Sequence, residues 1–166
     1  MRVVVPALLL AAALAGCGGG GGGGEGATTP RPSGDQVDPF AAVFRAVEQW
    51  RQGWQVRSLD ALAPLYRQDD HTVIVYQGRP QRGWDAAQGW LRGQLARSAT
   101  VHLRLEDGVV TTLGDDSATF AARMSRELSD GVVTTTDDGF LTLTFVRVDR
   151  AWQIVAEHYS YTLGGS

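Results

Sequence analysis

His158 and Ser160 stand two residues apart near the end of the chain, in the run Arg150-Ala-Trp-Gln-Ile-Val-Ala-Glu-His-Tyr-Ser-Tyr161. An imidazole changes charge near neutral pH and serves as general base, general acid or oriented donor. Successive strand side chains point to opposite faces. Trp152, Ile154, Ala156, His158 and Ser160 are therefore expected on one face, apolar at its start and polar at its end. Gln153, Val155, Glu157, Tyr159 and Tyr161 are expected on the other, half-exposed or covered by a partner. This makes His158 the candidate acid or base and, with Ser160, a candidate ligand contact. A histidine without an identified partner is not yet a catalytic site, so the competing expectation is that His158 only closes the end of a cavity. His71 and His102 are remote from it in sequence, and no two histidines have ligand spacing, so no metal is expected.

Other chemistry would have to come from aromatic or acidic side chains. Trp50, Trp54, Tyr66, Tyr76, Trp84 and Trp90 are suited to a flat apolar ligand. Most are needed as core in so small a domain, which leaves Tyr66, Tyr76 and Trp84 as the expected cavity contacts. The acids cluster at 69–70, 115–116 and 137–138, where they read as turn formers. No cofactor motif is present. Seven glycines at 18–24 have no strand before them, no helix after them and no Gly-Lys-Ser/Thr, so they are not a phosphate loop.

The first 37 residues are of another kind. Met1 to Gly16 has one charge at Arg2, an apolar run and then small residues, the layout of a signal peptide too short to span a membrane. Its end, Leu14-Ala15-Gly16-Cys17, resembles the bacterial lipoprotein signal and implies cleavage before Cys17, with a lipid placed on that sulfur. Two or more acyl chains give the durable anchoring that one does not. Residues 17–37 are rich in Gly and Pro and read as a flexible tether. Residues 38–163 are the folded domain. The expected location is extracytoplasmic, lipid-anchored to a bacterial membrane. The chain's only cysteine excludes an internal disulfide, and a formal charge of −3 argues against nucleic acid as a partner.

In the folded part, Asp38-Pro39 opens a helix by N-cap and N1 preference. Phe40, Val43, Phe44, Val47, Trp50 and Trp54 form its apolar stripe. Ser58 caps a shorter helix through Leu59, Leu62, Leu65 and Tyr66, made irregular by Pro64. His71 to Gln77 reads as a strand, Gly78 to Gly83 as a loop and Trp84 to Arg97 as a third helix. Gly89 and Gly93 make that helix marginal unless a close backbone contact compensates. Val101–Leu113, Ser117–Ser129, Thr134–Val148 and Ala151–Leu163 read as long strands joined by tight turns, with Asp107-Gly108 and Asp137-Asp-Gly139 as bulges or hairpin turns inside two of them. This order excludes a doubly wound parallel sheet and implies an α+β domain with its helices on one face of a curved sheet.

The segment Ser58-Leu-Asp-Ala-Leu-Ala-Pro-Leu-Tyr66, the Gly83-Trp84 helix start, the turn Leu113-Gly-Asp-Asp-Ser-Ala118 and above all Trp152-Gln-Ile-Val-Ala-Glu-His-Tyr-Ser160 resemble the SnoaL-like group of the nuclear transport factor 2-like superfamily, over roughly residues 38 to 162. The resemblance implies a cone-shaped, cystatin-like α+β barrel: a bent mixed or antiparallel sheet wrapped on three N-terminal helices, with a cavity at the open end and an outer face used for dimers. Arg104, Glu106, Arg123 and Glu127, with Tyr159 and Tyr161, are the expected outer-face row. Ketosteroid isomerases, dehydratases, hydrolases and cyclases share this superfamily with binding domains, and none of their catalytic sets maps onto this chain. The leading expectation is a membrane-tethered domain that binds a small, partly apolar molecule. The alternatives are an isomerase, dehydratase or cyclase using His158, and a homodimeric interaction module with a vestigial cavity.

Overall fold

The computed structural model describes residues 38–161, so the expected signal peptide, Cys17, the tether and the last residues of the chain lie outside the described residues. The element order is α1 (Pro39–Gln55), α2 (Leu59–Leu62) with a 3-10 turn (Ala63–Leu65), β1 (Val73–Tyr76), β2 (Arg79–Arg82), α3 (Trp84–Arg97), β3 (Thr100–Thr112), β4 (Ser117–Ser129), β5 (Thr134–Val148) and β6 (Ala151–Tyr161). The six strands form one curled sheet in the order β2-β1-β6-β5-β4-β3. Neighbours run antiparallel except β1 beside β6.

Local chemistry sets the helix boundaries. Asp38 caps α1 by accepting from the Phe40 N–H at 3.1 Å, and Pro39 takes the first helical position, where it has no intrahelical bond to lose. Ser58 accepts from the Ala61 N–H, and Pro64 converts the continuation of α2 into the 3-10 turn. Of the α1 stripe, Val43, Val47, Trp50 and Trp54 are buried, whereas Phe40 and Phe44 are 47% and 45% exposed. The glycines of α3 make no close contact: open space surrounds Gly89 and Gly93.

The segment expected as a loop at 78–83 instead forms β2, because Gln77 and Gly78 both adopt positive φ and fold a two-residue hairpin that pairs Tyr76 with Arg79. Asp149 and Arg150 make the same kind of turn between β5 and β6. Asp107-Gly108 is a bulge, marked by the register shift between Glu106 and Val109 and by Asp107 at φ 55°. Asp137-Asp-Gly139 is neither bulge nor turn, since the β4–β5 pairing runs through it without a shift. Gly139 is there because a side chain would strike β6: a Cβ would lie 2.1 Å from the Ser160 carbonyl oxygen.

The core lies between the helices and the inner face of the sheet. It is built from Val43, Val47, Trp50 and Trp54 of α1, Leu62, Ala87 and Leu91, and Ile74, Phe120, Leu141, Leu143, Phe145 and Ile154 of the strands.

Candidate functional site

The last strand does not keep the parity expected of it. Thr144 pairs with Ala156 and Phe145 with Ile154, so Val155 is an extra residue on β6. A bulge of one residue shifts the faces beyond it, because the side-chain period of a strand is two. Ile154 faces the core, and so do Glu157 and Tyr159, which are 1% and 2% exposed. His158 and Ser160 lie exposed on the opposite, outer face. His158 therefore does not share a face with Ile154, and Tyr159 and Tyr161 do not join the outer row. The apolar triplet Ile154-Val155-Ala156 is the signal for this shift, since a strand buried on one face has no use for three consecutive apolar residues.

What the shift brings inward is a carboxylic acid among hydroxyls. The Glu157 side chain accepts from the Tyr159 O–H on Oε1, and from the Tyr66 O–H and, at 3.1 Å, the Trp50 indole N–H on Oε2. The same indole N–H lies 3.0 Å from the Tyr66 hydroxyl oxygen. One buried acid thus ties together α1, the segment after the 3-10 turn and β6. Burial pushes its pKa up to about 7, against the opposing pull of Tyr159, Tyr66, Trp50 and the Arg126 charge. Tyr66 and Tyr159 are driven well above the usual phenol range, first by burial and then by the Glu157 charge.

Beyond Tyr159 is a second cluster. The Arg126 guanidinium, 2% exposed, lies 5.1 Å from the Tyr76 ring centre, 4.9 Å from Tyr161 and 5.8 Å from Tyr159. Its Nη2 donates to the Tyr76 hydroxyl at 2.8 Å and to Asp137 Oδ2 at 2.6 Å. Burial works against this cation, but Tyr161, Asp137, Tyr159 and Tyr76 outweigh it and hold Arg126 more firmly protonated than usual. Of the residues expected to meet a ligand, Tyr66 and Trp84 come together with ring centres 5.7 Å apart, and Tyr76 contacts Trp90 at 5.3 Å and Tyr159 at 5.9 Å. Those three belong to one aromatic interior, in which Trp50, Trp54, Tyr66 and Tyr159 are each no more than 2% exposed and Tyr76, Trp84, Trp90 and Tyr161 are half-buried at its margin.

Open space lies between α1 and the outermost strand β3. A groove of about 440 Å³ is lined by Phe44, Val47, Leu103, Leu105 and Phe120, with Gly108 in its floor and Glu48, Arg51 and Arg104 at its rim. Gly108 is required there, since a Cβ would stand 2.8 Å from the Phe120 ring. Phe44 meets Phe120 edge to face at 5.9 Å. The rim charges are occupied: Arg51 is bound to Glu48 at 2.6 and 2.8 Å and to Gln55 at 2.5 Å, and Arg104 pairs with Glu106 at 3.3 Å. Of the groove residues, Phe44 and Val47 drew notice in the sequence as helix stripe, Gly108 as part of a bulge or turn and Arg104 as outer face, none of them as a site, because a groove made by a bulge and a distant helix leaves no local pattern. Among the described residues no group of His, Cys, Asp or Glu is placed to hold a metal ion.

Comparison with known proteins places these features in a wider set. A family model for the SnoaL-like domain matches residues 43–164. Similar solved structures include a candidate dehydratase of the NTF2-like family from Streptomyces avermitilis, with TM-score 0.68 and 15% identity over 75% of this chain and 97% of that one. A candidate scytalone dehydratase from Novosphingobium aromaticivorans gives TM-score 0.67 and 16% identity, covering 75% of this chain and 84% of the other. A nuclear transport factor 2 superfamily protein from Salmonella enterica gives 0.66 and 15%, covering 75% and 94%. At such identities the likeness is one of fold. No curated protein matches the chain in sequence.

Proposed function

Because the chain belongs to the SnoaL-like domain family, a set whose fold serves both ligand binding and isomerase- or dehydratase-type chemistry, we propose that it binds a small, partly apolar molecule in the groove between α1 and β3. The observation that carries this reading is the groove itself: a space within the range of ligand sites, with an apolar wall on two elements and its rim charges already paired. The buried acid supports it from the other side. Both oxygens of Glu157 are engaged by donors from the chain, which leaves a substrate no approach to the acid as the side chains stand.

Native mass spectrometry of the gently purified protein, followed by NMR titration with indole as a neutral aromatic probe, tests the reading. Indole is expected to shift the signals of Phe44, Leu105 and Phe120. Phe44→Ala, at a half-exposed position, should weaken that binding several-fold with little change in Tm. A protein that carries no retained molecule and whose groove signals ignore indole would rule the groove out.

A second reading, an enzyme of the isomerase or dehydratase kind, is favoured by one observation: an interior acid that exchanges its proton near neutrality. It moves the acid or base role from His158 to Glu157 and requires Tyr66 or Tyr159 to release an oxygen when substrate enters. Turnover that survives in Glu157→Gln would remove it.

The proposed setting is the outer side of a bacterial membrane, with Cys17 as the lipidated residue and the Gly- and Pro-rich segment as its tether. The support is the Leu14-Ala15-Gly16-Cys17 sequence. Metabolic labelling with palmitate should mark the protein and fail to mark Cys17→Ala; equal labelling of both would dismiss the anchor.

A further inference from the structure

The groove runs along the free margin of the sheet, and this location narrows the chemistry of what it holds. β3 is the last strand in the order, and among the described residues no strand pairs with its outer edge. Leu103 and Leu105 turn their side chains inward to the groove, but Arg104 lines it as well. The Arg104 side chain leaves by the outer face, where its Nε meets Glu106. Arg104 thus marks where the groove reaches the margin of the strand. One wall of the groove is apolar side chain, from Phe44 and Val47, and the other is the margin of β3, a strand with no partner strand on its outer edge among the described residues. The bulge at Asp107-Gly108 ends the regular stretch, which leaves residues 101–106 available for pairing.

Charge points the same way. Glu48 and Arg51 neutralise each other, as do Arg104 and Glu106, so the groove presents no uncompensated charge for an ionic group to meet. Its complement is an uncharged ligand. A compact aromatic or acyl molecule would cover the apolar wall and leave the strand edge to water. An extended peptide covers the wall with alternate side chains and pairs its own backbone with the edge.

Resting on the reading that the groove is the binding site, we infer that its ligands are short, extended peptides, uncharged in their central residues, that add to the free edge of β3 along residues 101–106 and seat alternate apolar side chains between α1 and β3. The bulge sets the length of the paired stretch, and the Phe120 ring packs against Gly108 there.

The test uses the full chain and three probes. The first is a pool of end-blocked pentapeptides with Val, Leu, Ile or Phe at alternate positions and Ser or Thr between. The second is the same pool N-methylated at alternate backbone nitrogens, which keeps the side chains and removes the donors. The third is indole. The peptides are expected to slow amide hydrogen exchange within residues 101–106 at least tenfold, and N-methylation to weaken binding at least tenfold. Equal binding by both pools, or binding of indole with no peptide bound, overturns the peptide inference and leaves the groove as a small-molecule site. If no probe perturbs Phe44, Leu105 or Phe120, the groove reading fails with it.

Discussion

Glu157 is the buried acid whose titration is drawn up to neutral pH. A carboxyl that titrates near 7 when folded and near its ordinary 4.5 when unfolded binds a proton in the folded state that the unfolded state has released over that interval. Its contribution to stability is therefore fully present below the unfolded value and is lost as pH rises through the folded one. The slope is at most about 1.4 kcal/mol per pH unit. Thermal melts between pH 4.5 and 8 should show the wild-type Tm falling relative to Glu157→Gln; parallel curves would mean that Glu157 does not titrate there. Alternation along the strand predicts Glu157 on the outer face, and the structure buries it. The chemistry of residues 152–161 was legible in the sequence, yet strict alternation assigned the inward places to His158 and Ser160. The extra residue at Val155 gave them to Glu157 and Tyr159 instead. Tyr66, Tyr76 and Trp84, expected as cavity contacts, lie in the aromatic interior, Tyr66 buried and the other two half-buried.

At the scale of elements, the β5–β6 pair shows how closely two backbones can be brought together. Gly139 faces the Ser160–Tyr161 segment with no room for a methyl group. Gly139→Ala is expected to destabilise the domain by about 1–3 kcal/mol, as overpacking does, because the listener to the clash is backbone and not a movable side chain. Chemical denaturation would measure it, and an unchanged midpoint would show that the strands part without cost. The start of α1, the helix α3 and the strands β4 and β5 were legible to the residue, since caps, turn residues and apolar spacing agree there. β2 was not. Its Arg79-Pro-Gln-Arg82 has no β-branched or aromatic residue, and only the positive φ of Gln77 and Gly78 folds it back on β1. The groove was illegible for a related reason: it depends on Phe44 lying near Gly108 and Phe120, contacts that no window of sequence contains.

For the whole molecule, the outer face of the sheet is the surface left to explain. Across β1, β6, β5, β4 and β3 the register aligns Val75, His158, Thr142, Ala121 and Val109, a row of small or flat side chains. Phe140, 55% exposed, stands two residues from Thr142 on the same face. We propose that this face joins two copies of the chain, with His158 and Ser160 among its contacts. Sedimentation should find a dimer that Thr142→Arg converts to monomer without loss of Tm; a wild-type monomer at tens of micromolar would dispose of the proposal. The anchor and the dimer are compatible, since two tethers on one dimer would hold it to the membrane by both copies.

The bulge at Val155 also bears on descent. Two related chains matched without a gap across that point, one with the extra residue and one without, would have interior set against exterior for the rest of the strand. Glu157 would then be compared with a neighbour's surface residue, and His158 with its buried one. The role of a residue in this strand is inherited along with its phase, so ancestry is read correctly here only when the inserted position is counted.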